Sequence, residues 1–182
     1  VTEGSAQHQE PFLLRAAAQA LANEPVEALL ATGLNRDPAR LDIGPRAQNI
    51  RVAAWLSYRQ LLPRCSAVVT NGGSGTVMAA LQSGVPLVVV PTHWDRPSNA
   101  RRVVEAGVGV QLAPAECTPE RLRAAVREVL NVPSYRANAQ RASELLAQAP
   151  GPDGAAELLV QLAGSEDIRA PQEEAALQGG WQ

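Results

Sequence analysis

The stretch that decides the fold is SAVVTNGGSGTVMAALQSG, at residues 66–84. An apolar run ends at Asn71, three glycines follow within four residues, and a helical pattern begins at once. Glycine weakens a chain locally unless the backbone must turn sharply or let another group come close. The stretch therefore predicts a strand, a tight turn and a helix, with room for a ligand at the turn.

The start of the helix after these glycines is suited to binding an anion. Its first backbone N–H groups have no partner within the helix, and the helix dipole makes this end partly positive. Glycines let a phosphate oxygen approach these groups, and the hydroxyls of Ser74 and Thr76 add further donors. A phosphate or diphosphate is the expected ligand. The alternative is a glycine turn that serves tight packing alone.

Strand-like and helical patterns alternate along the rest of the chain. Short apolar runs predict strands at 1–5, 26–33, 50–56, 66–71, 86–91 and 107–113. Helical patterns lie at 10–23, 58–65, 76–83, 98–106, 118–130, 134–148 and 153–162. Such alternation is typical of a parallel sheet covered on both faces. We therefore predict the α/β class, with a Rossmann-like doubly wound parallel sheet of about six strands in the order 3-2-1-4-5-6.

A sheet of that order has one preferred place for a ligand. The loops after strands 1 and 4 flank the point at which the strand order reverses, and ligands bind there, outside the carboxyl ends of the strands. The segment EGS, at residues 3–5, follows the predicted first strand, and NGGSGT, at residues 71–76, follows the fourth. We expect these two glycine-containing loops to face the same crevice.

Composition limits the classes of partner. The 182 residues are 46% hydrophobic and 19% charged, which is ordinary for a globular domain. A net charge of −2 does not favour a nucleic-acid partner. The sequence has no long apolar run and no visible signal peptide, so we expect a cytoplasmic protein without a membrane span. Residues 1–163 predict one domain, and residues 164–182 predict a partly disordered C-terminal tail.

The cysteines and histidines do not predict a metal site or a disulfide framework. Cys65 and Cys117 belong to no recognised motif, so we expect both to be reduced and structural. His8 and His93 have no Cys, His or carboxylate neighbours at the spacing of metal ligands. No metal is therefore expected.

Beyond the glycines, residues 68–112 match a longer family pattern. They read VVTNGGSGTVMAALQSGVPLVVVPTHWDRPSNARRVVEAGVGVQL. This run resembles the donor-binding segment of GT-B glycosyltransferases of the UDP-glucuronosyl/glucosyl class, and above all the macrolide and antibiotic glycosyltransferases of bacteria. The family pattern is roughly T-H-G-G-x-G-T, then A-L-x-x-G-V-P, then P-x-x-x-D-Q-P-x-N-A-x-R-V. A weaker likeness extends from residue 1 to about residue 162, and it covers only the C-terminal half of a GT-B fold.

The resemblance implies a function for the chain. It implies the donor-binding domain of an inverting, metal-independent glycosyltransferase that moves a sugar from a UDP- or TDP-sugar to a small-molecule acceptor, without a further cofactor. The catalytic base and the acceptor site belong to an N-terminal domain of the same full-length chain or of a separate subunit. No catalytic residue is therefore expected in these residues. The alternative is a non-catalytic nucleotide-sugar-binding subunit that needs a separate acceptor-binding partner.

The resemblance also implies roles for particular residues. Trp55 corresponds to an aromatic residue that stacks on the nucleotide base, unless it fills the core at the end of a strand, and Leu56 would offer backbone groups to the base edge. Asp95 corresponds to a carboxylate that accepts hydrogen bonds from the donor sugar. The diphosphate would be held by Gly4, Ser5, Gly72, Gly73, Ser74, Gly75 and Thr76.

Two residues depart from the family pattern. Asn71 replaces the family's His beside the diphosphate, and an amide cannot become cationic. Arg96 replaces the family's Gln beside the sugar, and an arginine is longer and charged. Arg96 would contact the sugar or a phosphate, or lie solvated in its loop. These two changes leave the identity of the nucleotide, the identity of the sugar and donor binding itself open.

Overall fold

The computed structural model describes residues 1–4, 11–34, 36–44 and 47–164. The chain divides into two compact units, Val1–Ala147 and Gln148–Gln182. In the part of the second unit that the structure describes, the chain forms one helix, α7 (Gly151–Gly164). The predicted boundary between residues 163 and 164 stays a prediction, because almost all of the predicted tail lies outside the described residues.

The first unit has the α/β composition that the alternating patterns predict. Its strands are β1 (Ala28–Ala31), β2 (Ile50–Ala53), β3 (Val68–Thr70), β4 (Leu87–Val89) and β5 (Gly109–Gln111). Its helices are α1 (Phe12–Leu21), α2 (Tyr58–Leu61), α3 (Ser74–Gln82), α4 (Arg96–Glu105), α5 (Pro119–Asn131) and α6 (Pro133–Ala147). Short 3₁₀ turns lie at Pro38–Arg40, Leu62–Arg64 and Pro114–Glu116.

All strand pairs of the described residues are parallel, but they form two sheets. One sheet pairs β1 with β2, and the other has the order β3-β4-β5. Between them, Thr2 makes isolated parallel bridges with Ala31 and Thr70. The predicted continuous sheet of six strands, in the order 3-2-1-4-5-6, is therefore not confirmed. In the segment 1–4, Thr2 makes only these isolated bridges, and the chain turns at Gly4 with a φ of +76°.

Strand β4 is the centre of the core. Its three residues are completely buried, which fits a strand that is apolar on both faces and covered by helices on both sides. Successive side chains alternate between the two faces. Val88 packs in a cluster with residues of α1 and α5, whereas Leu87 and Val89 pack with residues of α3 and α4. The prediction of a central strand within residues 86–91 is confirmed.

The ends of the helices differ slightly from the prediction. Helix α4 begins at Arg96, two residues before the predicted start, because Pro97 fits the first turn of a helix, where no backbone donor is needed. Helix α3 begins at Ser74 with Gly73 as its N-cap residue, so the glycines form both the turn and the first helical turn. Within the described ranges, no helix is long and apolar enough to cross a membrane.

Candidate functional site

The glycine turn after β3 meets the loop that follows Thr2. Asn71 joins them, because its side-chain nitrogen donates a hydrogen bond to the carbonyl of Glu3. Its side-chain oxygen accepts a bond from the amide of Gly73 at 3.4 Å. A Cβ atom at Gly4 would lie 3.8 Å from the same oxygen. The structure therefore brings together the two loops that the strand order predicts to face one crevice.

Replacing Asn71 with alanine is expected to lower the free energy of unfolding by about 1–3 kcal/mol, because a partly buried backbone carbonyl and amide lose a partner. Asn71 is only 4% exposed. Urea unfolding measures the change. Asn131→Ala is the matched control, since Asn131 is exposed at the end of α5. An unfolding midpoint of Asn71→Ala equal to that of the control would show that the junction does not depend on this side chain.

A cavity of about 550 Å³ opens beside this junction, which is the size of many small-molecule sites. It is bounded by the loop after Thr2, the loops after β1 and β2, and the first turn of α3. Five predicted site residues line it: Gly4, Trp55, Leu56, Gly75 and Thr76.

Two glycines of the turn, Gly72 and Gly75, have different surroundings. Gly72 has a φ of +85°, and a Cβ there would lie 2.8 Å from the Val89 side chain and 3.3 Å from the carbonyl oxygen of Arg96. Gly72 therefore serves the turn and tight packing. At Gly75, no atom lies within 4 Å of the Cβ position, and this residue lines the cavity. The alternative of a glycine that serves tight packing alone thus applies to Gly72, whereas Gly75 leaves space for another group.

The start of α3 borders the cavity through Gly75 and Thr76. Its N-cap residue is Gly73, and among the described residues no side chain caps this end. The amides of Thr76 and Val77 both donate to the carbonyl of Gly73 at 3.0 Å, so they are used within the helix. Ser74 and Gly75, the first two helical residues, are exposed. Exposed amides at a helix start are suited to an anionic ligand.

A group of hydroxyls lies at the same end of the cavity. The Tyr58 hydroxyl donates to Thr2 Oγ1 at 3.2 Å and lies 3.4 Å from Thr76 Oγ1. All three residues line the cavity. Sequence reasoning missed Tyr58 and Thr2 as site residues. Strand β2 ends at Ala53, and a short loop that contains Trp55 connects it to Tyr58. This position near the carboxyl end of a strand was the signal available in the sequence.

Two apolar side chains stand at the mouth of the cavity. Trp55 is 62% exposed and Leu34 is 76% exposed, and both line the cavity. The alternative in which Trp55 fills the core is therefore wrong. Leu34 was not expected, because the sequence assigns it only to a loop after β1. An exposed indole and an exposed leucine offer apolar surface to a flat ligand group.

The loop before α4 is tied to the glycine turn. The Asn99 side-chain nitrogen donates to the carbonyl of Gly72 at 3.0 Å and to Asp95 Oδ2 at 2.9 Å. The Asp95 carboxylate is exposed and stands beside this bond. Its position is therefore fixed relative to the turn through Asn99.

Arg96 is held inside the protein rather than solvated. It is 6% exposed, and its guanidinium donates to Thr92 Oγ1. The guanidinium carbon lies 5.3 Å from the centre of the Trp94 ring. The alternative of a solvated loop arginine is therefore wrong, and direct contact of Arg96 with a sugar or phosphate stays a prediction.

The remaining predicted features stand as follows. Ser5 lies outside the described residues. In the part of the chain that the structure covers, no group of three or more His, Cys, Asp or Glu side chains lies where it could hold a metal ion. Burial raises the pKa of the Cys65 and Cys117 thiols, so both thiols stay protonated at neutral pH.

Comparisons with known proteins agree with this fold. The family model described as "Erythromycin biosynthesis protein CIII-like, C-terminal domain" matches residues 14–162. The curated protein 4'-demethylrebeccamycin synthase of Lentzea aerocolonigenes is 39% identical to the chain over 141 residues. The match covers 78% of the chain but 32% of that protein. The chain thus spans about a third of this relative.

Solved structures give the same picture. The calicheamicin glycosyltransferase CalG4 is 31% identical, with a TM-score of 0.81, and the match covers 93% of the chain and 42% of that protein. The glycosyltransferase VinC, solved in complex with DTDP, is 26% identical with a TM-score of 0.76, and the match covers 89% of the chain and 40% of that protein. The family match and these relatives agree that the chain belongs to the Erythromycin biosynthesis protein CIII-like C-terminal domain family of macrolide and antibiotic glycosyltransferases, which have the GT-B fold.

Proposed function

We propose that this chain binds a nucleoside diphosphate sugar in the cavity between Gly4 and the start of α3, as the donor domain of a glycosyltransferase. The observation that carries the proposal is that Gly4 and the first turn of α3, through Gly75 and Thr76, line one cavity. A diphosphate fits this end because backbone amides and the helix dipole both favour negative charge. The presence of DTDP in the VinC complex supports the same class of ligand.

Residues that line the cavity, together with Asp95 outside its lining, fit the other parts of such a donor. The exposed Trp55 ring offers a flat face to a nucleotide base, and the Tyr58 hydroxyl lies between the base end and α3. Asp95, held beside the glycine turn by Asn99, offers a carboxylate to sugar hydroxyls. The proposal thus places the base, the diphosphate and the sugar along a line from β2 to α4.

The proposed reaction is an inverting transfer without a metal ion. An acceptor oxygen attacks the anomeric carbon, the bond from that carbon to the diphosphate oxygen breaks, and a base on an N-terminal acceptor-binding domain takes the acceptor's proton. The contribution of this chain is electrostatic, because the amides at the start of α3 stabilise the charge that develops on the leaving diphosphate. Such donors aimed at developing charge are worth about 3–4 kcal/mol each in well-studied enzymes.

Calorimetric titration tests the proposal directly. UDP, TDP, UDP-glucose and TDP-glucose are titrated into the chain, with adenosine monophosphate as a ligand that lacks the diphosphate. We expect binding of at least one uridine or thymidine diphosphate at sub-millimolar to millimolar concentration, and weaker binding of the monophosphate. Absence of binding by all four diphosphates at millimolar concentration would overturn the proposal.

Replacing Asp95 with alanine is expected to weaken the binding of the diphosphate sugar about tenfold or more and to change the binding of the free diphosphate less than twofold. The reason is that a hydrogen bond to an ionised acceptor is worth about 1.5–3 kcal/mol, and this one would be made to the sugar. The same titrations measure both affinities. Asp95→Asn, which keeps an oxygen at this position, serves as the control and is expected to lose less. Equal losses for the sugar donor and the free diphosphate would remove Asp95 from the sugar site.

A further inference from the structure

Trp94 adopts a backbone conformation that bulky residues rarely take. Its φ is +62°, in the left-handed region where glycine and asparagine are favoured and large side chains are strained. Its side chain is nevertheless 67% exposed. Burial in the core therefore does not explain why a tryptophan occupies this position. Strained residues of this kind concentrate at binding and catalytic sites.

The exposed indole is held in place by its neighbours. The buried guanidinium of Arg96 lies 5.3 Å from the ring centre, which is a cation–π distance. The imidazole of His93 stands edge-on, with the two ring centres 4.3 Å apart and the planes at 86°. Because Arg96 is itself anchored on Thr92, the indole rests on a rigid support. The ring is thus both exposed and fixed, which lowers the entropy cost of binding a ligand on it.

This ring is continuous with the candidate site. Trp94 directly precedes Asp95, and Asn99 links the Asp95 carboxylate to the carbonyl of Gly72 in the glycine turn. Gly72 in turn packs against Arg96, the support of the ring. The indole, the carboxylate and the glycine turn therefore form one connected assembly at the carboxyl ends of β3 and β4.

We propose that Trp94 is a stacking platform for the sugar ring of the donor, and that it determines which sugars the site accepts. The inference rests on the proposed function. A pyranose has an apolar face of C–H groups and a rim of hydroxyls. A fixed aromatic face beside an exposed carboxylate complements both, because the ring packs on the C–H groups while Asp95 accepts from a hydroxyl. Arg96 lies against the indole, and the sugar would pack on the exposed surface of the ring.

Trp94→Gly is the test variant. Glycine adopts a φ of +62° without strain, so this variant removes the ring and keeps the backbone conformation. We expect an unfolding temperature equal to or above that of the starting chain. We also expect at least a fivefold loss of affinity for the diphosphate sugar and less than a twofold change for the free diphosphate, with UDP, TDP and their glucose derivatives as probes.

Trp94→Phe keeps an aromatic face and is expected to restore at least half of the lost binding energy for the sugar donor. Trp55→Ala is the matched aromatic control, because it removes a similarly exposed ring at the proposed base end of the cavity. It is expected to weaken the sugar donor and the free diphosphate by the same factor. Saturation-transfer NMR adds a second readout, in which Trp94→Gly reduces saturation of the sugar protons but not of the base protons.

The possible results separate this inference from the proposed function. If the starting chain binds none of the four probes, the proposed function fails. If it binds them and Trp94→Gly changes the affinities for the sugar donor and for the free diphosphate equally, or changes neither affinity, the stacking role of Trp94 is wrong. The proposed function then stands. The second result includes the case in which the ring contacts an acceptor or another protein domain instead of the sugar.

Discussion

Gly109→Ala is expected to destabilise the fold by about 4 kcal/mol, an effect reached only by severe core changes. Gly109 pairs with Leu87 in the parallel ladder of β4 and β5. A Cβ at Gly109 would lie 2.0 Å from the Leu87 carbonyl oxygen, 2.8 Å from its carbonyl carbon and 3.0 Å from its nitrogen. All three atoms belong to the backbone of the buried central strand, so no flexible side chain can move aside. The two strands must separate, and the ladder and both core clusters are disturbed together.

Chemical unfolding followed by circular dichroism measures this loss. Gly75→Ala is the matched control, because it adds the same methyl group where no atom lies within 4 Å, and it is expected to leave stability unchanged or to raise it by up to about 1 kcal/mol. Gly107→Ala is an intermediate case, since Gly107 has a φ of +61°, which strains an alanine, and the added methyl group would meet the Asn138 side chain. Equal unfolding midpoints for Gly109→Ala and Gly75→Ala would contradict the ladder geometry between β4 and β5.

The core strand and the glycine turn could be predicted because their sequence patterns are local. Residues 87–90 are apolar without interruption between Pro86 and Pro91, a pattern typical of a short strand buried on both faces. The glycines mark a turn because few other residues adopt the conformation of Gly72. The glycine turn, together with the glycine-containing segment at residues 3–5, was enough to predict a candidate site at the loops after the first and fourth predicted strands.

The six-strand sheet could not be predicted with the same accuracy. Pattern alone suggests a strand at 1–5, but a named strand needs a ladder over several residues, and in the described part of this segment only Thr2 makes bridges, to Ala31 and Thr70. Whether a short extended segment becomes a strand depends on its tertiary pairing and not on its own residues. The same limit explains the short bounds of β3, β4 and β5, which are all shorter than the predicted apolar runs.

The side-chain contacts of the site were beyond sequence reasoning. Arg96 and Trp94 are neighbours of the predicted Asp95, yet nothing in the sequence indicates that the arginine is buried beneath the indole. Tyr58 reaches Thr2 across 56 positions of the chain, and such pairs follow from the topology alone. The difference between Gly72, which packs tightly, and Gly75, which leaves open space, is likewise visible only when the space around each Cβ position is known.

The open space at Gly75, in contrast to the tight packing at Gly72, leads to the strongest expected effect on function. Gly75→Val is expected to weaken UDP or TDP binding at least 100-fold, which corresponds to about 2.7 kcal/mol, while the chain keeps its fold. Gly75 lines the cavity beside Thr76 and Gly4, so a branched side chain there enters the space proposed for the diphosphate. Valine and glycine differ by only a few tenths of a kcal/mol in helix propensity, so α3 persists.

Calorimetric titration of both nucleotides, with thermal unfolding as the check on folding, decides the outcome. Gly75→Ala is the graded control, because its single methyl group intrudes less and is expected to weaken binding to an intermediate degree. Gly72→Ala gives the reverse pattern, since its added Cβ would meet Val89 2.8 Å away inside the protein and lowers stability before it affects the cavity. Nucleotide binding of unchanged affinity by a folded Gly75→Val chain would mean that the diphosphate lies elsewhere, because the valine side chain and the diphosphate cannot occupy the same space at the start of α3.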